Sequence, residues 1–126
     1  MNTALVLAAV GLALIGAVHS VMGEILVFRT LRTTGVVPTG GYPALREHQV
    51  RILWGTWHLV TVLGWALSAL LWRLATTSDD AALGAWTADV AGLALMASGT
   101  LVFCATRGRH PGGIALLAIA ALVWWR

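Results

Sequence analysis

Residues 3–23 read TALVLAAVGLALIGAVHSVMG, 21 positions with no formal charge when His19 is neutral. About 20 apolar residues in a helix span the hydrocarbon of a bilayer, so this stretch is by length a complete crossing. Apolar character resumes after Glu24 and continues to Phe28. Met1 to Thr3 lack the positive charge a secretory signal requires, and the run outlasts the ~7–15-residue apolar region of such a signal. A retained membrane helix is the expectation.

Three further runs extend that reading. Ile52 to Trp72 is again 21 residues, interrupted only by His58 and small polar groups. A third runs from Ala81 or Ala82 to about Thr106, with Asp89 near one interface. The fourth, Gly112 to Trp125, has only 14 residues, which as a helix rise about 21 Å. It is either a thin or tilted crossing anchored by Trp124, Trp125 and Arg126, or a re-entrant or interfacial segment. The expected architecture is all-α: one transmembrane domain over residues 1–126, a four-helix bundle at about 3–28, 44–75, 81–106 and 111–125.

Composition agrees. The 126 residues are 59% hydrophobic and 10% charged, against roughly 45–50% and about 25% in soluble domains. A soluble chain of this length could not cover so much apolar surface, so the excess faces lipid. The formal charge of +3 would point to nucleic acid in a soluble chain. Here the arginines lie in loops between apolar runs, where they set topology, and no nucleic-acid partner is expected. All eight basic residues are arginine, which with the abundance of alanine, glycine and leucine fits a GC-rich bacterial genome. The single cysteine, Cys104, excludes an intramolecular disulfide and any Cys-x-x-Cys motif.

Loop charge orients the chain. Arg29, Arg32, Arg46 and Arg51 lie between the first and second runs, and Arg107 and Arg109 between the third and fourth. Arg73 and Arg126 lie on the other side, with Asp79, Asp80 and Asp89. Six arginines against two place the first and third connections in the cytoplasm and both termini outside, in a multi-pass protein of the inner (plasma) membrane. The first connection holds glycines 35, 40 and 41 with Pro38 and Pro43, a true helix break. Pro43 suits a first helical turn, so the second helix is expected to start near Ala44.

Ionisable groups inside a membrane are costly, and their positions are the main functional signal. His19 lies nine residues from Phe28 and His58 seven from Arg51. At 1.5 Å per residue these are about 13 Å and about 10 Å below the cytoplasmic helix ends, a depth at which the two imidazoles can meet. Ala13, Gly16, Ser20 and Gly23 form a small-residue stripe that permits close approach. His19 flanks it and Glu24 stacks over Ser20. On the second helix His48, Arg51, Gly55, His58, Thr61 and Trp65 follow three- and four-residue steps. All four histidines, Glu24, Glu47 and Cys104 fall in the cytoplasmic half.

The pattern HSVMGE at 19–24, RILWGTWHLVT at 51–61 and RGRH at 107–110 resembles a group of small bacterial four-helix membrane proteins. In these, His-Ser-x-x-Gly-Glu ends the first helix and Arg-x-x-Trp-x-x-x-His-Leu opens the second. The resemblance spans most of the chain. It implies the four-helix architecture and directs attention to His19, Glu24, Arg51, Trp54 and His58, and it carries no chemistry.

Three function classes remain open on the residues alone. In the first, His19 and His58, with Glu24, His48 or His110, hold a transition metal (iron, copper or zinc) or a b-type haem, Met96 being an alternative axial ligand. Redox chemistry on a lipid-soluble substrate would follow. In the second, the chain is a non-catalytic accessory subunit or small-molecule transport or binding module, acting as a homo-oligomer or in a larger membrane complex. His19, Glu24 and Arg51 would there form a structural network, a proton relay or an anion site. In the third, a metal-free enzyme uses Glu24 or His58 as general base near Arg51 and binds an anionic lipid headgroup, with Arg51 and Trp54 the candidate substrate or anion contacts. A plain structural role, such as a Glu24–Arg51 pair, stands beside all three.

Overall fold

The computed structural model describes residues 1–40 and 45–125, apart from the Ala81 side chain. Its elements are α1 (Thr3–Gly23), a π-helical turn (Glu24–Phe28), α2 (Glu47–Thr76), α3 (Asp80–Thr106) and α4 (Pro111–Trp124), with no strand among the described residues. Three of these spans, Thr3–Phe28, Glu47–Thr76 and Ala82–Thr106, are long and apolar enough to cross a membrane. Pro111–Trp124 is apolar but shorter.

Caps explain the boundaries. Asn2 accepts from the amides of Ala4 and Leu5 and opens α1. Asp79 does the same for α3 through Ala82 N at 3.0 Å. α4 starts with Pro111 at its first position and His110 as N-cap, whose Nδ1 accepts from Gly112 N at 3.1 Å. The expected start of α2 near Ala44, with Pro43 in its first turn, lies outside the described residues, as does the Arg126 anchor. The helix is regular only from Glu47, because Arg46 is its extended N-cap and the Gln49 side chain accepts from Arg46 N at 2.8 Å.

The first span is not uniform. Over Glu24–Phe28 the backbone widens to i→i−5 bonding, with Arg29 N donating to Glu24 O at 2.8 Å. Phe28 closes that turn and is buried against α2, in a cluster with Trp54 and Ala105. The chain then folds back: Gly40 N donates to Leu31 O at 2.7 Å, and the Thr33 and Thr39 hydroxyls meet at 2.6 Å. Gly35 takes a positive φ of 76° in this loop.

The helices pack in chain order, α1 on α2, α2 on α3 and α3 on α4. No contact of comparable extent joins α1 to α4 among the described residues, so the bundle is open along that seam and α2 and α3 are its inner helices. Asn2 N donates to Ala75 O at 3.0 Å, tying the start of α1 to the end of α2. This antiparallel order gathers the ends carrying Arg29, Arg32, Arg46, Arg51, Arg107 and Arg109 on one side.

Candidate functional site

The α1–α2 seam is a ladder of side-chain donors on backbone acceptors. From α2, Trp57 Nε1 donates to His19 O (3.1 Å), Thr61 Oγ1 to Gly16 O (3.2 Å), Trp65 Nε1 to Ala13 O (3.1 Å) and Ser68 Oγ to Ala9 O (2.7 Å). Such bonds average about 0.6 kcal/mol each in membrane proteins, so the four contribute about 2–3 kcal/mol. Glycine makes the approach possible: a Cβ on Gly16 would stand 3.0 Å from Trp65 Nε1, and one on Gly23 would overlap the Trp57 indole. The small-residue stripe of α1 therefore faces α2, as its spacing predicts.

Toward the arginine-rich end the ladder opens into a polar cluster. Ser20 Oγ lies 2.8 Å from His58 Nδ1 and 2.8 Å from Thr61 Oγ1. Each hydroxyl has one proton. With Thr61 donating to Gly16 O, Ser20 donates to Thr61 and accepts Nδ1–H of His58; with Thr61 donating to Ser20, Ser20 donates to Nδ1 and the hydrogen of neutral His58 sits on Nε2. That atom is buried without a hydrogen-bond partner, and Glu24 Oε2 faces it at 3.9 Å.

Glu24 is held from two other directions. Trp54 Nε1 donates to its Oε2 at 3.3 Å, and Arg32 from the loop pairs with its Oε1. Arg32 is itself fixed by donating through Nε to Val36 O at 2.9 Å. Aromatic rings close the site: His19 stacks on Trp57 (4.5 Å, 8°), Trp54 meets His58 edge-on (4.8 Å), and Phe28 meets Trp57 edge-on (5.7 Å). His19 Nε2 is also buried without a hydrogen-bond partner.

The structure thus brings together His19, Glu24, His58 and Trp54, and divides the remaining candidates from them. Arg51 reaches instead to α3, where its Nε donates to Ala105 O at 2.5 Å. The Glu24–Arg51 pair considered from the sequence is not formed; Arg32 takes that place. His48 and His110 line a separate cavity with Arg51. Met96 is exposed on α3, a helix that packs on α2 and α4 rather than α1. Cys104 is exposed.

Among the described residues no group of three or more His, Cys, Asp or Glu side chains is placed to hold a metal ion. Two donors, Glu24 Oε2 and His58 Nε2, converge. Their supports are of the kind that orient metal ligands, Ser20 behind the imidazole and Trp54 and Arg32 behind the carboxylate. A haem between His19 and His58 does not fit, because it would have to part α1 from α2 and break the ladder that joins them.

Sequence reasoning treated Arg32 only as a loop charge and Trp57 only as part of a motif. Arg32 stands eight residues beyond Glu24, and its return depends on the loop path, which carries no periodic signal. Trp57 was accessible: it precedes Thr61 and Trp65 at four-residue steps on the face that meets Gly23 and Gly16. Comparison with protein-family models, with curated proteins and with solved structures gave no match.

Proposed function

We propose that this chain is an integral membrane protein, with its arginine-rich end in the cytoplasm, that serves as a non-catalytic module taking up and releasing a proton at the Glu24–His58 pair. Its outward surfaces support insertion: Leu7, Leu14, Ile15, Val18, Val21, Met22 and Leu26 are exposed along α1 with no charge among them. In water that face would be a large uncovered apolar patch.

One observation carries the functional reading. His58 Nε2, a buried atom without a hydrogen-bond partner, and the part-exposed Glu24 carboxylate face each other at 3.9 Å. A proton that makes His58 an imidazolium, or a metal ion on Nε2, turns this approach into attraction between opposite charges. The charged and titratable groups facing His58 are Glu24, His19 and Arg32. Glu24 and Arg32 already cancel, so a proton leaves the cluster with one net positive charge, whereas a divalent ion leaves two. Charge in hydrocarbon costs several kcal/mol, so the proton is the favoured occupant. Ser20 and Thr61 then pass hydrogen bonding inward as far as Gly16 O. Beyond Thr61 the seam offers only Trp65 and Ser68 bound to carbonyls, so the chain of exchangeable groups ends inside the bundle. The pair is a proton-binding terminus, suited to reporting cytoplasmic pH to a partner subunit.

A transition-metal site is the second reading, favoured by the buried, unpartnered Nε2 atoms of both His19 and His58. One experiment separates the two. The protein in lipid nanodiscs is titrated between pH 5 and 9 while imidazole 15N shifts and bound metal are both measured. The proton reading expects a reversible protonation step at His58, absent in His58→Gln, with no stoichiometric metal. Bound iron, copper or zinc near one per chain that His58→Gln removes would install the metal reading instead. A flat titration without metal would sink both.

A further inference from the structure

At the arginine-rich end a second cavity of about 650 Å³ opens between the start of α2, the end of α3 and the start of α4. Neither Glu24 nor His58 lines it. Four arginines line it, Arg46, Arg51, Arg107 and Arg109, together with His48 and His110. The one carboxylate is Glu47, whose Oε1 lies 3.6 Å from Arg51 Nη1 and 3.8 Å from Arg107 Nη1. Both distances exceed those of a direct charge-assisted hydrogen bond, about 2.7–2.9 Å. One carboxylate against four guanidiniums leaves an excess of three positive charges around a space of ligand size.

Two features single out Arg51 and Arg107 among these arginines. Arg51 is nearly buried, 8% exposed, and its Nε is spent on Ala105 O, which aims the remaining guanidinium nitrogens at the cavity. Arg107 is the one non-glycine residue at positive φ among the described residues (φ 53°). It ends α3 in the left-handed position that glycine normally takes, with Gly108 N closing on Phe103 O at 2.8 Å. Glycine would carry no Cβ penalty at this position, and Arg107 instead brings its side chain to the lining of the cavity. The N-termini of α2 and α4 open at the same end and add their positive poles.

We infer that this cavity binds a phosphate monoester dianion, either the headgroup of phosphatidic acid or a soluble phosphate monoester. Guanidinium forks match phosphate oxygens in pairs, and a monoester carries about −1.5 to −2 charges at neutral pH, which answers most of the excess. A carboxylate would leave two cations unanswered.

The test uses the full chain in two settings. In sugar-headgroup detergent, glycerol 3-phosphate is titrated by calorimetry. In phosphatidylcholine nanodiscs containing phosphatidic acid, retained lipid is read by native mass spectrometry. Saturable calorimetric binding assigns the soluble monoester; selective retention of phosphatidic acid assigns the headgroup. In either arm Arg107→Gly with Arg109→Gln is expected to weaken binding at least about tenfold, the loss of one or two hydrogen bonds between charged groups. Arg73→Gln, at the opposite end, should change it less than about twofold. Arg107→Gly alone should weaken binding while its melting temperature holds or rises, since glycine relieves the left-handed position. Absence of selective binding in both arms, or binding that the Arg107 and Arg109 variants leave intact, overturns the assignment. So does a fall in melting temperature of Arg107→Gly that accounts for its loss of binding.

Discussion

The two outer seams of this bundle close by different means. α1 meets α2 through donors on carbonyls, with aromatic and imidazole rings filling the gaps. α3 meets α4 through glycines under apolar groups: a Cβ on Gly92 would lie 2.8 Å from the Trp124 ring, and one on Gly99 2.9 Å from Leu117 Cγ. Both seams use small residues to bring backbones close, which is how helices associate where water gives no hydrophobic drive. The first adds a ladder of side-chain donors and the His19, Glu24 and His58 cluster to that closeness. The lesson is that close packing is common to both seams, and the α1–α2 seam couples it to the candidate site.

Substitutions can break this contrast, beginning with the largest effect. Gly23→Ala places a methyl inside the Trp57 indole, which is tied to His19 O, stacked on the His19 ring and edged by Phe28. We expect a loss of about 3 kcal/mol, the upper end for overpacking, together with loss of the His58 protonation step. Gly113→Ala on the other seam meets backbone, Phe103 N at 2.9 Å and Cα at 3.1 Å, but breaks no polar bond. About 2 kcal/mol is expected, with the His58 step unchanged. Reversible unfolding in mixed micelles measures both, and a larger cost at Gly113 would refute the view that the polar seam is the less forgiving.

The smallest effect compares two threonines of α2. Thr61→Val removes a hydroxyl that bridges Gly16 O and Ser20 Oγ, and should cost about 1 kcal/mol. Thr56 is exposed and its hydroxyl bonds Ile52 O of its own helix, so Thr56→Val should stay within about 0.5 kcal/mol. Equal costs would mean that the α1–α2 ladder adds nothing to helix association.

Much of the site was legible before any coordinates. Matched depth placed His19, Glu24 and His58 together, and the stripe Ala13–Gly16–Ser20–Gly23 predicted the face of α1 that meets α2. The stripe on α2 was read less well. Its residues share one side of the helix by spacing, yet Arg51 and Gly55 face α3 while His58, Thr61 and Trp65 face α1. An inner helix has two neighbours, and periodicity names a face without naming what lies against it. The uniform first helix was also an oversimplification, since nothing in the residues before Phe28 announces the π turn.

By itself the sequence determined four helices, three of them long and apolar enough to cross a membrane, and the gathering of arginines at one end. Those follow from run length, charge placement and antiparallel connection, all of which are local or additive along the chain. Only the tertiary structure decided that Arg32 rather than Arg51 holds Glu24, that Ser20 bridges His58 and Thr61, and that Arg51 lines a cavity with His48 and His110. Those depend on where a loop returns and which helices lie in the middle, and such long-range choices leave no period to read.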